Sequence, residues 1–262
     1  MFSSEPRCQY KKNQLADVIC QLRFPDILSI NANEPAAFQE IIRSEFPQYV
    51  KGMDAAAPKI AGAPGNFHLE TVPPTVNYQF SSVDGIWRIN LTSRFISITC
   101  TQYTNWETFA RKFDKPLAAF IKVYNPAYFN RIGLRYLNFI SKRELALESV
   151  SFSDLINPMY LGLLGSEDVN DKQFNQNSVD AELVTPGGCR LKVHAGPGIV
   201  KRNGHTDDEV KFIFDQDLFV SGNIPVNQAA ESLDKLHAQS FPIFRGAITD
   251  MLHNAMNPDS NF

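Results

Sequence analysis

The sequence predicts an α+β protein. Two successive β-α-β-β-β-α halves, about 14–125 and 126–257, share one curved, mostly antiparallel sheet, with two long helices on its concave face. Three observations lead there. Strand-like segments are separated by the turn pairs Asp84-Gly85, Gly187-Gly188 and Asn203-Gly204, which join antiparallel neighbours. Two long runs, about Thr104 to Val123 and about Val226 to Met256, carry apolar residues at helical spacing. The order strand, helix, three strands, long helix occurs twice, with first strands starting near residues 15 and 128. Four strands and one helix bury only a thin core, so a shared sheet makes residues 1–262 a single structural domain.

Leu15 to Phe24 alternates loosely and contains β-branched residues; it reads as a strand closed by Pro25. A helix opens at Pro35 and runs to Phe46, where Pro47 ends it. Residues 51–65, rich in Ala, Gly and Pro, read as a mobile loop. Strands follow at Thr75 to Val83, Ile86 to Leu91 and Phe95 to Thr101. In the first long helix Trp106, Phe109, Phe113, Leu117, Phe120 and Ile121 form one stripe, and Lys115-Pro116 marks a kink. The second half begins with a strand, Tyr128 to Ile140. A helix from Phe152 to Leu164, capped by Ser151 or Ser153 and bent at Pro158, leads to a polar loop at 165–175. Strands at Val179 to Thr185, Arg190 to Ala195 and Glu209 to Val220 precede the last helix, Val226 to Met256.

Composition bounds the function. The net charge of −3 argues against a broad basic face for nucleic acid. No apolar stretch approaches the ~18 residues of a membrane span. What remains is a protein partner, a second copy of the chain, or a small ligand. The first residues lack a signal-peptide core, which points to a cytoplasmic protein. Cys8, Cys20, Cys100 and Cys189 form no CxxC pair and read as reduced thiols. The five histidines show no ligand spacing, so neither a metal nor another cofactor is expected. Phenylalanine is abundant, 20 against 8 Tyr and 2 Trp. Large flat side chains fill a wide gap between sheet and helices well, the alternative being an apolar ligand held there.

Phosphate-loop, dinucleotide, nucleophile-elbow and HExxH signatures are all absent from the sequence. The most informative segment is Arg131-Ile132-Gly133-Leu134-Arg135-Tyr136-Leu137-Asn138. On a strand, Arg131, Gly133, Arg135 and Leu137 share one face, and Ile132, Leu134, Tyr136 and Asn138 the other. A guanidinium in a central strand keeps its charge and needs a carboxylate, a phosphate or an aromatic face. Either the arginines pair with Asp215, Asp217 or Glu182 and fix register, or they form an anion site on the concave face, with Gly133 letting a ligand or partner approach. Asp215-Gln216-Asp217 offers two carboxylates on one strand face, for arginine pairing, acid–base work or a cation. Trp87-Arg88, and Tyr103 with Trp106, are aromatic clusters near strand ends, fit for the core or for a partner. Asp234, Lys235 and His237 form a polar stripe on the last helix, either solvated or internally hydrogen-bonded. Lys201 to His205 is a basic hairpin tip, too short for a nucleic-acid claim.

The strand–helix–strands–long-helix order resembles helix-grip and saddle-like families, in topology only. Leu22-Arg23-Phe24-Pro25, Tyr103…Trp106, the Arg131–Asn138 strand and the run from Leu233 to Asp250 also resemble a sporadically distributed prokaryotic family of unknown function and similar length. That resemblance implies a prokaryotic cytosolic protein, and its patchy distribution an accessory or sensor in phage defence or a toxin–antitoxin pair. It supplies no catalytic residues. The first expectation is thus a non-enzymatic binding or interaction protein, using Tyr136, Asn138, Trp87 and Trp106. The second is an enzyme or carrier for a small anionic ligand held by Arg131 and Arg135.

Overall fold

The computed structural model describes residues 1–54, 59–63, 66–70, 74–166, 168, 176–202 and 204–259. The first half contains β1 (Gln9–Tyr10), β2 (Leu15–Arg23), α1 (Leu28–Ala32), α2 (Ala36–Ile42), β3 (Gln48–Asp54), β4 (Lys59–Ala63), β5 (Asn66–Glu70), β6 (Thr75–Ser81), β7 (Trp87–Leu91), β8 (Phe95–Cys100) and α3 (Trp106–Tyr124). The second contains β9 (Phe129–Ile140), α4 (Lys142–Leu145), α5 (Phe152–Leu155), β10 (Val179–Val184), β11 (Arg190–Arg202), β12 (His205–Ile224), α6 (Ala229–Ala247), α7 (Asp250–Ala255) and β13 (Pro258–Asp259). The main sheet is curved, and its nine strands run β10-β11-β12-β9-β2-β8-β7-β6-β3, with every pairing antiparallel. Thus β2 and β9, the two strands expected to open the halves, lie side by side at its centre. Among the described residues no helix is long and apolar enough to cross a membrane.

One face of the sheet carries the helices. Val18, Cys20 and Leu22 of β2, Ile132 and Leu134 of β9, and Phe212, Phe214 and Leu218 of β12 are all buried there. Helix α6 packs over β9 and β12, and α3 over β8 and against α2. Asn105 caps α3 by accepting from the Thr108 amide at 2.8 Å. Phe109, Phe113, Pro116 and Phe120 of α3 face the sheet, so the helix continues through its internal proline. Most of the phenylalanines placed between sheet and helices are there. Phe219 is an exception: its odd position in β12 turns it to the opposite face, where it is 5% exposed beneath Arg131.

Four expectations need correction. The expected loop at 51–65 contains strand: β3 pairs with β6 along its length, and β4 pairs with β5, while 55–58, 64 and 65 lie outside the described residues. Strand β3 is an edge strand whose Tyr49, Val50 and Met53 stay exposed, so backbone pairing defines it rather than an apolar pattern. It brings the sheet to nine strands where about eight were expected. The expected helix from Phe152 to Leu164 is α5 followed by two 3-10 turns. Pro158 has no amide to donate, and Gly162 adopts φ 54°, so the helix cannot propagate. The last helix is broken in two. Ile248 is extended and bridges to Ile156, Arg245 donates to the Ile248 carbonyl at 3.2 Å, and Thr249 caps α7. The expected polar loop at 165–175 falls mostly outside the described residues.

Candidate functional site

Alternation along β9 divides five of the seven residues singled out in the sequence; Trp87 lies on β7 and Trp106 on α3. Arg131, Gly133 and Arg135 lie on the helix-free face. Arg131 Nη2 donates to both oxygens of Asp217, at 2.8 and 2.7 Å, and its guanidinium lies 4.4 Å above the Phe219 ring. Arg135 grips Asp215 with two N–H groups. The ladder continues outward: Glu182 of β10 pairs with Arg190 and Lys192 of β11, and Asp180 with His194. Columns of acid and base therefore alternate across four strands. A hollow of about 440 Å³ lies over this ladder, and its charges answer one another.

Gly133 has a local role in this network. A Cβ there would collide with the Arg131 guanidinium, which needs that space to reach Asp217 and Phe219. Gly133→Ala is therefore expected to cost on the order of 1–3 kcal/mol. In an Arg131→Ala background the same change should become neutral or stabilising by up to ~1 kcal/mol, because alanine suits a strand better than glycine. A denaturant double-mutant cycle checks this; a Gly133→Ala cost that is unchanged without Arg131 would refute it.

Tyr136 and Asn138 point to the opposite face, beneath α6. They floor a cavity of about 340 Å³ together with Gln216, which is paired with Tyr136 across the β12–β9 ladder. His237, Ser240, Phe241 and Phe244 of α6 form one wall. Tyr103 and Thr104 contribute from the approach to α3, and residues 7–11 with Asn13 close the remaining side. That leading segment is stitched to the C-terminal part of the chain. Strand β1 pairs with β13, Ser3 donates to the Pro242 carbonyl at 2.9 Å, Glu5 pairs with Arg245, and Tyr10 meets His253 Nδ1 at 2.9 Å.

The polar groups of the cavity are deeply placed. His237 is 9% exposed, and its Nδ1 lies 2.8 Å from the Tyr136 hydroxyl. Trp106, itself 8% exposed, stacks on the imidazole at 4.6 Å and donates its indole N–H to Asp234 at 2.9 Å. Trp106 is therefore a wall behind the cavity rather than an exposed partner contact. Trp87 is half-buried against Phe109, away from it. Burial, reinforced by the positive charge of Arg7, pulls the His237 pKa down to about 3. Burial likewise pushes the Tyr136 hydroxyl up, and that of Tyr103 up to about 12. At neutral pH the cavity thus presents an uncharged imidazole and intact phenols, which bind by hydrogen bonding. An imidazole this reluctant to take a proton is a poor general base.

Three buried polar atoms there find no hydrogen-bond partner among the described residues: His237 Nε2, the Tyr103 hydroxyl, and Oε1 of Gln216, a residue 2% exposed. Such atoms are uncommon in folded chains, because leaving one unmade costs ~1–3 kcal/mol. The sequence reading identified Tyr136, Asn138 and Trp106 around this place but not Gln216, Ser240 or the leading segment. Asp215 and Asp217, either side of Gln216, point the other way and are each taken by an arginine. Among the described residues no cluster of His, Cys, Asp and Glu is placed to hold a metal ion. No protein-family model matches the chain, and no curated protein matches it.

Proposed function

We propose that this chain is a small-molecule-binding protein whose ligand occupies the cavity between α6 and the sheet. The observation that carries this is the set of buried, unpartnered polar atoms, His237 Nε2, Gln216 Oε1 and the Tyr103 hydroxyl, in a cavity walled by aromatic rings. A concave, mostly apolar space with a few convergent polar groups is the usual form of a ligand site, and 340 Å³ lies at the small end of its range. The arginine pair is the weaker alternative, because Asp215 and Asp217 already occupy both guanidinium groups.

The halves 14–125 and 126–257 are read as structural repeats of helix-grip-like form. Strand order supports this: β2-β8-β7-β6 on one side of the centre is matched by β9-β12-β11-β10 on the other. Each series ends in a 19-residue helix, α3 or α6. The cavity then lies under the second long helix, where helix-grip-like folds have room for a ligand.

Saturation-transfer NMR with a mixture of small aromatic compounds tests the binding reading. Hits are expected, and they should disappear in Ser240→Phe, which fills the cavity. Gln216→Leu, similar in size, should weaken them about ten-fold while leaving the fold intact, by removing one acceptor worth ~1–1.5 kcal/mol. An absence of hits, or hits indifferent to both changes, would exclude the cavity as a binding site.

A further inference from the structure

The rim of the cavity has a sign. Arg7 and Lys11 line it, whereas no Asp or Glu does among the described residues. The counter-charges stand outside: Glu107 is 4.0 Å from Arg7, and Asp259 is 3.6 Å from Lys11. The charge of Arg7 acts on His237, Tyr103 and Tyr136, and that of Glu107 opposes it at Tyr103 alone. Deeper in, Phe241, Phe244 and the Tyr103 ring offer flat apolar surface, with His237 Nε2, Gln216 Oε1 and the Tyr103 hydroxyl as orphaned hydrogen-bonding groups. A cation in this space would meet two positive charges. A fully apolar molecule would leave all three orphans unsatisfied. The volume of about 340 Å³ suits a small ligand.

We infer that the ligand is a small organic monocarboxylate with a planar, largely apolar body that carries a hydroxyl, its carboxylate at the Arg7–Lys11 rim, its body between Phe241, Phe244 and Tyr103, and its hydroxyl towards His237 and Gln216. This rests on the binding function proposed above and adds the charge and orientation of the ligand. The same rim chemistry would also accept a phosphate monoester, which the test separates.

The experiment uses the whole chain and four probes with one hydroxylated ring body: 3-(4-hydroxyphenyl)propionate, 3-(4-hydroxyphenyl)propionamide, 4-(3-aminopropyl)phenol and 2-(4-hydroxyphenyl)ethyl phosphate. Calorimetric titration should show the carboxylate binding at least ten-fold more tightly than the amide, and the amine not binding. Arg7→Gln with Lys11→Gln, two changes at the rim, should bring acid and amide to equal affinity without altering the melting temperature in the absence of ligand. Equal binding of acid, amide and amine, abolished by Ser240→Phe, would overturn the charge assignment and leave the cavity reading standing. Tighter binding of the phosphate ester would replace carboxylate by phosphate. Binding of none of the four, or binding that survives Ser240→Phe, would overturn both.

Discussion

Trp106→Ala is expected to lower stability by about 3–5 kcal/mol, in the range for removing a large buried aromatic side chain. The indole is enclosed between His237 at 4.6 Å and Phe109 at 5.8 Å, both nearly parallel to it. Its N–H also holds Asp234 at 2.9 Å. Removing it opens the cavity wall to water, so the penalty on charging His237 should shrink and its pKa rise from about 3 towards the ordinary 6.5. Trp106→Phe keeps much of the stack and loses the bond to Asp234, so it should cost about 1–3 kcal/mol. Guanidinium unfolding measures the first effect and histidine-detected NMR titration the second. A Trp106→Ala loss below about 1 kcal/mol would show that the indole is not part of the packed wall.

What the sequence revealed and what it hid follow from the range of each signal. Turn pairs, caps and periodicity act over a few residues, and they located the central strands and both long helices. The face of β9 that meets the helices was not assigned: an anion site of Arg131 and Arg135 on the concave face was one of two expectations, whereas Ile132, Leu134 and Tyr136 are the buried side and the arginines lie opposite. His237 does not belong to the polar stripe expected with Asp234 and Lys235: helical spacing sets it with Leu233, Ser240 and Phe244 on the buried side of α6, while Asp234 and Lys235 are exposed. The partners of Arg131 and Arg135 were among the candidates, but choosing them needed the register of β9 against β12. Pairings between distant segments were hidden. Strand β3 exists through β6, the break at Ile248 through Ile156, and the cavity's outer wall through residues 256–259 pairing with 9–12. None of these leaves a periodic trace, because what defines them is backbone hydrogen bonding to a remote strand or loop.

Acidification should destabilise the protein before its carboxylates begin to titrate. An unfolded histidine takes up a proton near pH 6.5, whereas His237 in the folded chain resists until about pH 3. Between these values the unfolded state binds the extra proton. Stability therefore falls as pH is lowered through this window, by up to ~1.4 kcal/mol per unit, and on the order of 4 kcal/mol in all. His253, whose pKa is also lowered by burial, acts with the same sign. Asp26, Glu45 and Asp84 are held below their ordinary values by hydrogen bonds to Ser93, Lys112 and Ser82 respectively. The stability that they contribute is present above the unfolded carboxylate range and is lost only as pH falls through it, so about pH 6.5 to 5 belongs to the histidines. His237→Asn places an amide oxygen near Nδ1, where it can accept from the Tyr136 hydroxyl, and removes the titration. Its urea midpoint should change less with pH across this window than that of the parent, and His253→Asn should remove a smaller part of the slope. A parent whose stability is flat from pH 6.5 to about 5, or a slope untouched by His237→Asn, would mean that His237 accepts its proton in the folded state, and the uncharged interior assigned to the cavity would be wrong.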